Sequence, residues 1–458
     1  MSPAGDPRPD RPTVALVGLD TRAGQQWTWR WHDRDSWSTP HLVDAEATRQ
    51  VRNLLSGALP GRAGAASEEL PTPGAPGPLA SAETEWAYSA LLARLLLPPL
   101  LGEELRVRAA SHGSPVVFRV FPSPSTAAVP WELLPVGSPL RPGLRLLDVA
   151  DVVHVAPLLP RDSDPGARPT AWQDVNSQPP LHVIDPDLTR EGVPPVLSAD
   201  ALAAWAASYP HLARRRGRPQ VSAFGERVDR WWLARQLPGR SRFFYLGHVA
   251  APHGDAQSTG LLLGCRRFDY SADERPVGTL YRFFTARDAI RGTLDAPELT
   301  ADADRAAALF GVPSPRVGPS PGSAREGDGR VPVRPGREIW PMPPRVALIG
   351  CRSGSDPSFE EPFGLVTACL HAGAELVTAT RWTVYTGETF ARWGCPDDPL
   401  NEAARAVDRI QQLDDPVAGQ NAWQRERLGA WRAHGRLRDT PLIWAALATY
   451  DGRPRVSD

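Results

Sequence analysis

"RVALIGCRSGSDPSFEEPFGLVTACLHAGAELVTATRW", residues 345–382, decides the fold. Residues 345–350 are nearly continuous in apolar side chains, the pattern of a strand buried on both faces. "PFGLVTACLHAGA" follows at helical spacing, with Pro362 suited to a helix start and Gly373 to the position just past its end. "ELVTATRW" then reads as a second strand. Strand, helix and strand in this order make a βαβ unit, which implies parallel strands joined by a crossover. Cys351 stands where the first of these strands ends.

A second strand reaches a similar end. "RFFYLGHVAAPHG" (242–254) runs to Gly247 and is followed at once by His248. In an open parallel sheet, functional groups collect outside the carboxyl ends of the strands. If the two strands are neighbours, His248 and Cys351 emerge on one edge, each directly after a glycine where the chain can turn sharply. An imidazole beside a thiol lowers the thiol pKa and yields a nucleophilic thiolate. Backbone N–H groups in the turn after Cys351 would be placed to stabilise an oxyanion. The plainer alternative is a small buried cysteine and an ordinary histidine, the commoner fate of both residue types.

Composition narrows the chemistry. The chain has 458 residues, room for two to three domain-sized units, although one α/β unit with insertions would absorb most of that length. A net charge of -1 leaves no electrostatic footprint for nucleic acid or an acidic membrane. There is no lysine, so all 51 basic residues are arginine. That excludes a self-contained P-loop ATPase and a Schiff base to a carbonyl or to PLP. The N-terminal "MSPAGDPRPDRP" lacks the apolar region of a signal peptide, and "LLARLLLPPLLG" (91–102) is too short to span a bilayer. Cys265, Cys351, Cys369 and Cys395 show no C-x-x-C spacing, which argues against a disulfide framework or a zinc site. These features predict a cytoplasmic protein with reduced thiols.

Along the chain, residues 13–59 read as a small β-rich extension, with strands in "TVALVGLD" and "QWTWRWHD" and a helix in "DAEATRQVRNLLSGAL". The tryptophans of this stretch are expected in the core. A Pro/Gly/Ala/Ser linker covers 60–83. The main domain is expected over 84–453. It has a helix at about 84–97, strands "PVVFRVF" (115–121) and "LHVIDP" (181–186), and helices near 199–208, 228–237 and 285. Residues 311–343, rich in Pro and Gly, are expected to form a mobile loop. Ala403, Ala406, Val407, Ile410 and Leu413 fall on one face of a further helix. "GPSPG" (318–322) matches a nucleophile-elbow pattern but lacks the strand and helix that motif needs. His253 is a second candidate base, weakened by its place in a polar turn, and Cys369 reads as core.

With these segments in order, the chain resembles the CHAT domains of bacteria, cysteine peptidases related to caspases and separases. "FFYLGHVAAPHGDAQSTGLLLG" resembles the family's histidine strand, and "VALIGCRSG…EPFGLVTACLHAGAELVTATRW" its cysteine strand, helix and next strand. "VPWELLPV" (129–136) resembles the entry motif and "TPLIWAALATYDG" (440–452) the closing strand. The resemblance covers about residues 84–453. It implies an α/β, caspase-like, mostly parallel sheet flanked by helices, and a cysteine endopeptidase acting on a specific protein substrate. His248 would be the general base and Cys351 the nucleophile, with the amides of Val249 and Cys351 as the oxyanion hole. No metal, nucleotide or other cofactor is implied, and no nucleic acid or membrane partner. The family further implies a bacterial defence or cell-death effector, antiviral circuits included, held inactive until a sensor or regulatory protein engages it.

Two departures stand out. Val249 occupies a position where relatives commonly have glycine, and the segment after Trp382 offers Glu388 where relatives often carry Asp. Glu388 is the candidate carboxylate for a basic P1 residue, with Asp356, Glu360 and Glu361 as alternatives and an exposed helix start as its plain explanation. The family's TPR-like repeats are not recognisable. The rival function is a catalytically silent pseudoprotease acting as an interaction module.

Overall fold

The structure is a computed structural model. It describes residues 11–59, 76–137, 141, 143–156, 170–189, 193–212, 222–250, 259–266, 281–291, 336–350 and 364–452. Among the described residues, fourteen strands are numbered in chain order. They are β1 (Thr13–Thr21), β2 (Gly24–Trp31), β3 (His41–Asp44), β4 (Val116–Phe121), β5 (Ala150–His154), β6 (Leu181–Ile184), β7 (Ala223–Phe224), β8 (Arg242–Leu246), β9 (Val249–Ala250), β10 (Gly260–Arg266), β11 (Tyr281–Thr285), β12 (Arg345–Ile349), β13 (Leu376–Thr380) and β14 (Leu447–Asp451).

Eleven of them form one sheet in the order β3-β2-β1-β4-β5-β14-β13-β12-β8-β6-β7. Its pairings are parallel except β1–β2, β2–β3 and β13–β14. The expected βαβ unit is present. β12 pairs in parallel with β13, and the helix Gly364–His371 lies between them in the chain and ends before Gly373, whose φ of 121° suits only glycine. β9, β10 and β11 make a separate antiparallel sheet.

The unalternating strands are explained by a core on each face. Phe244, Leu246, Ala347 and Ile349 enter one apolar cluster, whereas Phe243, Tyr245, Val346 and Leu348 enter the other. The first is covered by the helices Pro399–Ile410 and Pro416–His434, through residues such as Ala403, Val407 and Leu428. The second is covered by the helix Gly364–His371, through Leu365, Val366 and Cys369. A sheet so covered has no wet face, so every residue of β8 and β12 is buried.

Residues 13–59 form β1–β3 and the helix Ala45–Ala58, and β1 pairs in parallel with β4, continuing the main sheet. Trp27, Trp29 and Trp31 alternate into the core, as their spacing predicts. On the helix Pro399–Ile410, Ala403, Ala406, Val407 and Ile410 are buried. Leu413, expected beside them, lies past the helix end and is 47% exposed. Of the segment 311–343, residues 311–335 lie outside the described residues, as does the "GPSPG" match. Its last part holds a helical turn, Gly336–Ile339, and two buried anchors, Trp340 and Met342, with the Trp340 ring 4.6 Å from that of Phe284. Among the described residues, no helix is long and apolar enough to cross a membrane.

Candidate active site

β8 and β12 are adjacent and parallel, with Leu246 opposite Ile349. The two chain ends meet. The Gly247 amide donates to the Ile349 carbonyl at 3.1 Å, and the Thr380 hydroxyl at the end of β13 donates to the Gly350 carbonyl. Neither Gly247 nor Gly350 has a positive φ, so the expected sharp turn is not why glycine stands there. Space is the reason. A Cβ at Gly350 would lie 2.5 Å from the Gly247 carbonyl oxygen, and one at Gly247 would lie 2.7 Å from the Tyr245 hydroxyl.

His248 follows Gly247 at this edge. Its carbonyl accepts from the Tyr245 hydroxyl at 2.7 Å and from the Leu262 amide at 2.9 Å, which fixes the backbone that carries the imidazole. Val249 opens β9 opposite Leu261, and its side chain is buried among Leu261 and Leu263. Because the neighbouring His248 carbonyl points at β10, alternation along an antiparallel ladder turns the Val249 N–H away from β10. A valine therefore suits the extended backbone here and still presents its amide.

The imidazole is half-buried, with Nε2 2.9 Å from the Pro194 carbonyl oxygen. A carbonyl only accepts, so this contact places hydrogen on Nε2 and leaves the lone pair on Nδ1. Burial pulls the His248 pKa below the usual histidine value, against the opposing pull of the Pro194 carbonyl and the Asp185 carboxylate. The neutral imidazole, the form a general base needs, is thereby favoured at neutral pH.

Asp185 falls within the expected strand "LHVIDP", whose pattern gives it no role of its own, whereas β6 ends one residue before it, at Ile184. It lies buried at the carboxyl end of β6, next to β8, with a φ of 48°. Its amide donates to the Leu246 carbonyl, and its carboxylate accepts from the Val196 and Leu197 amides, both at 2.9 Å. Burial raises its pKa, while those two donors and His248 pull it back down.

A cavity of about 320 Å³ opens at these strand ends. It is lined by Pro194–Val196, by Leu246–His248 and Ile349–Gly350 at the strand ends, and by Thr383–Thr386 and Leu400. Glu388 and Arg392 also line it. Both are exposed, and their side chains pair with each other across one turn of the helix Gly387–Arg392. Glu388 is thus a rim residue that already has a cation beside it.

Cys351, the next residue after Gly350, lies outside the described residues, as do His253, Asp356, Glu360 and Glu361. The described part of the site is therefore His248, the Val249 amide, the Gly350 strand end and the cavity. Cys369 is core, as expected, and burial pushes its thiol up to about 12. Cys395 is a free, buried thiol.

No protein-family model and no curated protein matches this chain. Solved structures do, among them two crystal structures of the Saccharomyces cerevisiae separase–securin complex. One, at 3.0 Å, is 10% identical over 96% of this chain and 30% of its own, with a TM-score of 0.44. The other, at 2.6 Å, is 12% identical over 90% of this chain and 23% of its own, with a TM-score of 0.34. This chain therefore matches less than a third of the length of either. By its own architecture it is an α/β protein with a large, mostly parallel sheet flanked by helices.

Proposed function

We propose that the chain is a cysteine endopeptidase of the CHAT or caspase-like type, with His248 as base and Cys351 as nucleophile. The observation that carries this reading is the meeting of β8 and β12. Two parallel neighbours end in abutting glycines beside one cavity, His248 follows the first, and the cysteine is the residue after the second. In the reaction, His248 Nδ1 takes the Cys351 proton and the thiolate adds to the scissile carbonyl carbon. The resulting oxyanion accepts from the Val249 and Cys351 amides. Collapse breaks the C–N bond, and the proton on His248 leaves with the amine. Water, deprotonated by the same imidazole, then hydrolyses the thioester and restores the thiol.

The resemblance to CHAT domains supports the wider role, a bacterial defence or cell-death effector that cuts one protein substrate once a partner activates it. A peptide chloromethyl ketone tests the chemistry. It should label the wild type at Cys351 and leave Cys351→Ala and His248→Ala unlabelled. An unreactive wild type, assayed with and without lysate from cells under attack, would favour the silent interaction module. Val249, where relatives commonly have glycine, is the residue that favours that alternative, and its place in β9 opposite Leu261 is compatible with an amide free to donate.

A further inference from the structure

We propose that Asp185 is a positioning residue for His248, acting through the strap of residues 194–197. This deepens the reading of His248 as the base and rests on it. Pro194 and Pro195 have no N–H, and Val193 just before them donates to the Leu188 carbonyl at 3.3 Å. The two amides that remain, those of Val196 and Leu197, both go to the Asp185 carboxylate at 2.9 Å. Beyond them Ser198 caps the helix Ala199–Ser208. Asp185 is thus the fastening between the strap and the sheet at the very turn where Pro194 offers its carbonyl to His248.

The choice of residue fits that task. The two amides go to different oxygens of the carboxylate, and an Asn side chain would put an NH₂ in place of one of them. The backbone at φ 48° lies in the left-handed region, which Asp enters more readily than most residues but which still costs about 1 kcal/mol or more. The carboxylate's bonds to the strap offset that cost. The strap is also the cavity wall, through Pro194, Pro195 and Val196. One buried residue therefore sets both the tautomer of the imidazole and the wall against which a substrate lies.

Imidazole ¹⁵N NMR on the full chain, with His248 assigned by comparison with His248→Gln, tests this without any need for turnover. The wild type should show His248 with hydrogen on Nε2. Asp185→Asn keeps the size and suits the left-handed backbone, but it turns an NH₂ toward one of the two amides. It should shift His248 to a mixture of tautomers and lower kcat by about 10–100-fold, the cost of a small misplacement of a reacting group, with a smaller change in KM. Asp185→Glu, which restores two oxygens, should recover part of both effects. A wild-type His248 with hydrogen on Nδ1 would overturn the proposal whether or not any variant folds. So would an Asp185→Asn protein with the wild-type tautomer and kcat. A tautomer that responds to Asp185 in a chain that no peptide ketone labels would leave the strap assignment standing and remove the peptidase reading instead.

Discussion

Gly350→Ala isolates the contact on which the site is built. The added Cβ would sit 2.5 Å from the Gly247 carbonyl oxygen and 2.9 Å from Val249 Cγ2. A comfortable carbon–oxygen contact is about 3.3 Å, so the two strand ends must part by roughly 0.8 Å. The nearer atom is backbone, held in the β8–β12 ladder by the 3.1 Å bond from Gly247 to Ile349, and it cannot swing away as a side chain would. Forcing an extra carbon into a packed interior costs about 1–3 kcal/mol. The φ of Gly350 is not positive, so this cost comes from the contact and not from the backbone conformation. Urea unfolding should show a lower midpoint at unchanged slope, and alkylation of Cys351 should slow as the two ends separate. Gly429→Ala is the control of opposite sign. It lies exposed in the helix Pro416–His434 with nothing within 4 Å of a new Cβ, and should stabilise by about 0.5–1 kcal/mol. A Gly350→Ala protein with the wild-type midpoint, or one that gains as Gly429→Ala does, would refute the argument from close approach.

Three further outcomes are expected. Glu132 and Arg381 form a buried ion pair at 2.6 Å, with 2% and 0% of their side chains exposed. Glu132→Leu should therefore cost about 3–5 kcal/mol by taking the carboxylate from a buried guanidinium that then has only neutral acceptors such as the Val129 and Ala445 carbonyls, and calorimetry that finds no loss would contradict this. His154, His182 and His248 all have folded pKa values pulled below 6.5, first of all by burial. Below about pH 7 the unfolded chain then binds more protons than the folded one. Stability should be full above that pH and fall on acidification through 6.5. A melting temperature unchanged or higher at pH 5.5 than at pH 7.5 would show the reverse, and His154→Gln should make the decline shallower. Glu388→Gln should weaken cleavage after arginine while alkylation of Cys351 by a small thiol reagent proceeds as before. The exposed pairing with Arg392 makes that effect modest, and a peptide library showing an apolar or acidic P1 preference would remove Glu388 from the pocket.

Local pattern alone carried the strands and their class. Continuous apolar runs at 242–247 and 345–350, the helix between β12 and β13, and the alternating tryptophans of β2 each follow from spacing within a few residues. The place of His248 at a strand end was legible in the same way, because a strand's end is a local event. Folding in three dimensions decided what surrounds it. That β8 lies beside β12, and that β1 joins β4, depends on pairings between segments about a hundred residues apart, and no window on the chain contains both partners. The glycines at 247 and 350 were visible, but their reason was not, since a close approach is made by the neighbouring strand. Asp185 was hidden differently. An Asp closing an apolar run marks no more than where a strand stops, and only its burial and the two strap amides give it a role. Periodicity reports which side of an element is dry. Which polar group a buried carboxylate or imidazole meets there depends on atoms brought together by the rest of the chain.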